Sequence, residues 1–96
     1  MHVVLWRYRV RTGCEAEFER AYGDDGLWVR LFRESESHLG SELMRATDGT
    51  YVCIDRWVSE PAYRAFKDVE AAAYARLDAQ CASLRTEETM LAALEV

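Results

Sequence analysis

The chain has 96 residues, half of them hydrophobic, with twelve basic and seventeen acidic side chains and a formal net charge of −5. That length suits one small domain over residues 1–96, and the acidic balance excludes a nucleic-acid partner, which needs a dominant basic face. No apolar run reaches the ~18 residues of a membrane span, nothing at the N-terminus reads as a signal peptide, and no CxxC occurs among Cys14, Cys53 and Cys81, so a cytoplasmic protein with reduced thiols, no membrane partner and no metal is expected.

Residues 2–11 alternate. Val4, Trp6, Tyr8 and Val10 share one face, and Arg7, Arg9 and Arg11 share the other, with Val3 and Leu5 at its start. Period two with β-branched and aromatic residues predicts a strand. The arginine row reads as a solvated or ion-paired strand face. From Cys14 a helical spacing begins, with Phe18, Ala21 and Tyr22 on one side. Gly23-Asp24-Asp25-Gly26 interrupts it, and Trp28, Leu31 and Phe32 resume it, so one broken helix or two short ones lie between 14 and 35.

Residues 39–47 predict a second strand, with His38 in the connecting loop before it. Asp48-Gly49 signals a hairpin through a type I′ turn. A third strand over 50–58 places Tyr51, Cys53, Asp55 and Trp57 on one face. Ser59 is a helix N-cap, Glu60 complements the positive end of the helix dipole, and Pro61 fits the first turn. The following helix carries a stripe of Tyr63, Phe66, Ala73, Leu77, Cys81 and Leu84, with Glu70 as its one charge. Glu70 marks either a kink near Asp68–Glu70, a polar group aimed at a cleft, or a helix break that turns it to solvent. A last strand is expected around 86–95, although Glu87 to Leu94 favours helix by propensity. The order β-α-β-β-α-β predicts an α+β, ferredoxin-like antiparallel sheet with its helices on one face.

Three Trp, five Tyr and three Phe are a heavy aromatic load for so short a chain. The helix-facing positions Trp6, Tyr8, Trp28, Phe32, Phe66 and Tyr74 either line an apolar cleft for a small aromatic molecule or fill the core themselves. Arg7, Glu42, Asp55 and Arg56 are charges inside strands, so at least one Arg–carboxylate pair is expected among them.

The pieces that match a known family are the opening strand into Arg11-Thr12-Gly13, Glu15, Glu17 and Phe18, then Leu39-Gly40, Asp55-Arg56-Trp57, and Ser59-Glu60 with Tyr63 and Phe66. On these residues, over nearly the whole chain, the sequence resembles the antibiotic biosynthesis monooxygenase-like proteins. The resemblance implies a homodimer in which two sheets close a dimeric α/β barrel, with one cleft per subunit between sheet and helices. It implies a cofactor-independent monooxygenase acting on a quinol or polyketide-like substrate. His38 and Tyr74 are the candidate catalytic residues, and Trp6, Tyr8, Trp28, Phe32 and Phe66 the candidate substrate-binding ones. A non-catalytic binding module, or a cyclase or isomerase of the same fold, stands as the alternative. A related haem-degrading branch uses a strand Asn, a helical Trp and a later His. Here Trp6 and Phe66 stand at the first two positions and no histidine follows, so no cofactor is expected.

Overall fold

The computed structural model describes residues 1–96. Strand β1 (His2–Val10) is followed by two short helices, α1 (Glu15–Tyr22) and α2 (Leu27–Phe32). The hairpin β2 (His38–Arg45) and β3 (Tyr51–Trp57) comes next, then helices α3 (Glu60–Val69) and α4 (Ala71–Cys81). A single 3₁₀ turn at Ala82–Leu84 leads into β4 (Arg85–Glu95). The sheet order is β2-β3-β1-β4, and every neighbouring pair is antiparallel. This is the ferredoxin-like arrangement. No helix is long and apolar enough to cross a membrane.

The alternation of the strands decides which residues face the helices. In β3 the row Tyr51, Cys53, Asp55 and Trp57 is buried throughout. Across the sheet, Val4, Trp6 and Tyr8 oppose Asp55, Cys53 and Tyr51. Phe18 from α1 and Phe32 from α2 close onto this layer, with Phe18 stacked 4.2 Å from Tyr22 and Phe32 edge-on to Trp57 at 5.2 Å. Trp57 and Phe18 are fully buried. The opposite sheet face carries Val3, Leu5, Val52, Ile54, Met44 and Leu94, and all the helices lie on the other side.

The local signals translate into geometry. Ser59 Oγ accepts the Ala62 amide at 3.2 Å and caps α3. The break between α3 and α4 falls at Glu70, whose backbone leaves helical values at φ −101° and ψ 21°. Hydrogen bonds from Glu70 to Phe66 and from Tyr74 to Glu70 carry the chain through the bend. Despite its helical propensity, the C-terminal segment pairs with β1 along its whole length, because a sheet with an open β1 edge rewards pairing more than propensity opposes it. The expected pair forms between Arg56 and Glu42, 2.7 Å apart on the outer face. Arg9 is paired in the same way with Glu87.

Two local expectations are corrected. The β2–β3 hairpin is not a type I′ turn, since Asp48 keeps a negative φ and only Gly49, at +89°, is left-handed. Instead Gly49 donates to the Ala46 carbonyl, Ala46 donates to Thr50, and the Asp48 carboxylate accepts from both the amide and the hydroxyl of Thr50. This is the three-residue loop with a glycine bulge, and Asp48 contributes its side chain rather than an unusual backbone. Nor is His38 a loop residue: it opens β2 opposite Trp57. The register slips between His38 and Gly40, and Gly40 adopts φ +132°. This bulge puts His38 and Ser41, three residues apart, on the same helix-facing side.

Candidate active site

Between the sheet and the helices lies a cavity of about 120 Å³ with nine hydrophobic residues among its thirteen lining residues. Strand β1 supplies Trp6 and Tyr8, α2 supplies Trp28 and Phe32, and Tyr63 and Tyr74 come from α3 and α4. The rings hold one another. Tyr8 meets Tyr22 at 4.9 Å, and Trp28 meets the edge of Tyr74 at 4.9 Å. Five of the residues expected around a cleft, Trp6, Tyr8, Trp28, Phe32 and Tyr74, therefore surround a space. Phe66 does not border it. It is buried behind, 5.0 Å from Trp57 and 5.7 Å from Phe32.

The polar part of the wall is unusual. Asp55 is 6% exposed and has no cationic partner. Its Oδ1 accepts a hydrogen bond from Ser41 Oγ at 2.7 Å and a longer one from Cys53 Sγ at 3.4 Å. Burial raises its pKa, which the two hydrogen bonds counter only in part. Asp78 and Glu88 also line the cavity, but both are held by Arg85, at 2.8 and 3.4 Å. Arg85 also donates to the Tyr22 hydroxyl at 2.9 Å. Burial pushes the phenols of Tyr8, Tyr22 and Tyr74 well above their ordinary range and that of Tyr63 up to about 12. They stay protonated at neutral pH, each with a hydroxyl proton to offer. The Cys53 thiol is raised too, first by burial and then by Asp55, and stays a thiol.

His38 stands outside the lining residues but is tied to them. Its Nε2 lies 2.9 Å from Ser41 Oγ, and its ring rests 5.2 Å from Phe32 and 5.1 Å from Trp57. Ser41 has one hydroxyl proton, which goes to Asp55, so the bond to His38 takes the Nε2–H tautomer. Burial first, then the positive charge of Arg33, lowers the His38 pKa and keeps the ring neutral. The result is a continuous chain from His38 through Ser41 to a carboxylate in the cavity wall. The sequence reading missed Asp55 and Ser41 as site residues. For Asp55 the signal was available, because alternation places this one charge in the row of Tyr51, Cys53 and Trp57. For Ser41 it was hidden by the bulge.

A family model described as antibiotic biosynthesis monooxygenase matches residues 1–76. It ends inside α4, and β4 completes the sheet beyond it. No curated protein sequence matches the chain. Among solved structures, SnoaB from Streptomyces nogalater, a cofactor-independent oxygenase, is 21% identical with a TM-score of 0.71, and the match covers 99% of this chain and 94% of that one. A variant of MhuD with two manganese protoporphyrin IX bound per active site is 22% identical with a TM-score of 0.73, covering 100% and 94%. An uncharacterized NIPSNAP domain protein from Burkholderia xenovorans is 18% identical with a TM-score of 0.73, covering 100% and 94%. These likenesses concern the fold. The residues here do not fit a haem: the cavity wall holds no histidine, its one thiol is kept protonated by burial, and its volume is below the ~300 Å³ at which pockets for larger ligands begin.

Proposed function

The chain belongs to the antibiotic biosynthesis monooxygenase family, and from that premise we propose that it is a cofactor-independent monooxygenase acting on a small aromatic substrate, quinol or polyketide-like, bound in the aromatic cavity. The observation that carries this reading is Asp55, a buried carboxylate without a cation, in a wall of rings whose other two carboxylates, Asp78 and Glu88, are paired with Arg85. Burial tunes such a group upward toward the range in which a general base works at neutral pH. A cavity close in size to the ~150 Å³ that accepts benzene suits a single aromatic ring, or one ring of a larger system.

In this reading Asp55 removes a proton from the bound hydroxyl-substituted ring. The negative charge passes from carboxylate to substrate, so the low-dielectric site never holds an added charge. The electron-rich anion gives one electron to O₂, and the resulting radical pair combines at a ring carbon. The peroxide then loses water and leaves a carbonyl. The ring C–H, the hydroxyl O–H and O₂ become two ring C=O groups and H₂O, and the proton on Asp55 leaves with that water. Tyr8 and Tyr74, protonated throughout, are placed to donate to substrate oxygens, while Trp6 and Trp28 offer flat surfaces for stacking. Ser41 and His38 position Asp55 and set its protonation between turnovers.

The outer sheet face supports a homodimer. Met44 and Leu94 are 45% and 44% exposed there, beside the partly buried Val52 and Ile54, and a second sheet would cover them. Three free cysteines accord with a cytoplasmic setting. Oxygen consumption with monocyclic hydroquinones and with anthrones tests the activity. Uptake above the protein-free rate, abolished by Asp55→Asn, is the expected result, and no uptake with any member of either series rejects it.

A further inference from the structure

The cavity wall contains carboxylates and no cation. Asp55, Asp78 and Glu88 line it, and no Lys, Arg or His does. Arg85 stands behind the wall and serves both Asp78 and Glu88. Three carboxylates against one guanidinium leave two formal negative charges around an aromatic space. Asp55 is deep and already accepts two hydrogen bonds. Asp78 is held tightly by Arg85. Glu88 is the more loosely held of the two: its contact with Arg85 is 3.4 Å against 2.8 Å for Asp78, and its side chain is 33% exposed. Burial, more than Arg85 counters, raises its pKa as well.

Aromatic faces carry negative quadrupole and attract cations, more strongly where water is excluded. A neutral ring would satisfy the rings of the wall and leave its charge unanswered. An anion would be repelled by all three carboxylates. We propose that the cavity selects an aromatic ring bearing a protonated amine, with the ammonium group held by Glu88 and the ring among Trp28, Tyr74 and Tyr8. This names the substrate class for the site described above and rests on the reading that the cavity is the binding site. Glu88 lies opposite Tyr8 in the β1–β4 register, so the ammonium enters beside a ring of the cage. A hydroxyl elsewhere on the same substrate then faces inward, toward Asp55.

The test uses three probes of similar size and different charge: benzylammonium, benzyl alcohol and benzoate. Their affinities are measured by tryptophan fluorescence and by calorimetry at pH 7.5 and low salt. Benzylammonium should bind at least about tenfold more tightly than benzyl alcohol, and benzoate more weakly than either. Added salt should weaken only the ammonium. Glu88→Gln should remove most of the ammonium preference and leave benzyl alcohol within about twofold. The inference is overturned if benzyl alcohol or benzoate binds as well as benzylammonium, if the preference survives in Glu88→Gln, or if none of the three binds. The comparison on the unmodified protein needs no variant to fold. Because quinol-dependent oxygen uptake is measured separately, loss of the ammonium preference leaves the oxygenase reading to its own test.

Discussion

Ser41 donates its single hydroxyl proton to Asp55 at 2.7 Å, and it is the only side-chain oxygen that does so. Removing it leaves a buried carboxylate with one weak thiol donor. Ser41→Ala should therefore raise the Asp55 pKa further and lower stability at pH 7 by about 1.5–3 kcal/mol, the range for a hydrogen bond to a charged group. Urea unfolding checks the second effect, and the pH dependence of oxygen uptake checks the first. An unchanged midpoint would mean that the bond contributes nothing.

Asp55 makes stability depend on pH in a definite direction. Its folded-state pKa is raised by burial above the ~3.9 of an unfolded chain. The native state thus holds the proton more strongly, a contribution present in full below the unfolded value and lost as pH rises through the folded one. Asparagine is neutral throughout. The melting temperature of Asp55→Asn relative to the parent should rise between pH 4 and pH 7, while activity is lost. A difference that stays flat across that interval would contradict an elevated Asp55.

Gly40 holds φ +132°, a region that side-chain-bearing residues rarely enter. Nothing lies within 4 Å of where a Cβ would stand, so the penalty of Gly40→Ala is conformational rather than steric. A loss of about 1–3 kcal/mol is expected. The NMR signals of the His38 ring should move with it, since the bulge sets the distance from His38 to Ser41. Full stability in the alanine variant would show that the strand can relax to ordinary geometry.

Trp57 is fully buried, and its Nε1 has no acceptor. Replacing it by phenylalanine sacrifices volume but no hydrogen bond. Trp57→Ala should cost about 3–5 kcal/mol and Trp57→Phe clearly less, as read by chemical denaturation. Equal losses would point to an unseen partner for the indole nitrogen.

The outer face makes a separate prediction. Leu94→Glu and Met44→Glu each place a charge on the apolar patch beside Val52 and Ile54. Sedimentation velocity should report a shift from dimer toward monomer, with near-ultraviolet circular dichroism retained. A parent protein that sediments as a monomer would remove the basis for a closed barrel.

Much of the architecture was legible in the sequence because alternation and capping act locally. The row Tyr51, Cys53, Asp55 and Trp57 announced its face, and Ser59-Glu60-Pro61 announced the start of α3. What escaped was the effect of departures from regularity. Strict period two puts residues 38 and 41 on opposite sides of a strand. Only the backbone at Gly40, whose strain is set by the fold, brings them together. The Asp48-Gly49 turn failed for a similar reason: Asp48 serves as a hydrogen-bond acceptor for Thr50, a role that outweighs the backbone preference of the dipeptide. The balance between cavity and packing was likewise tertiary. Phe66 and Tyr74 both come from the second helical region, yet one is core and the other is wall, and the bend at Glu70 separates them.

The bulge at Gly40 also separates two tasks along one strand. Upstream of it, position 38 sits where solvent can exchange protons with an imidazole. Downstream, position 41 sits between that imidazole and the carboxylate of Asp55, bonded to both. An inserted residue thus converts a simple alternating ribbon into a switchback in which only the second end reaches the cavity wall, and substitutions at 38 can alter proton exchange without redrawing the cavity.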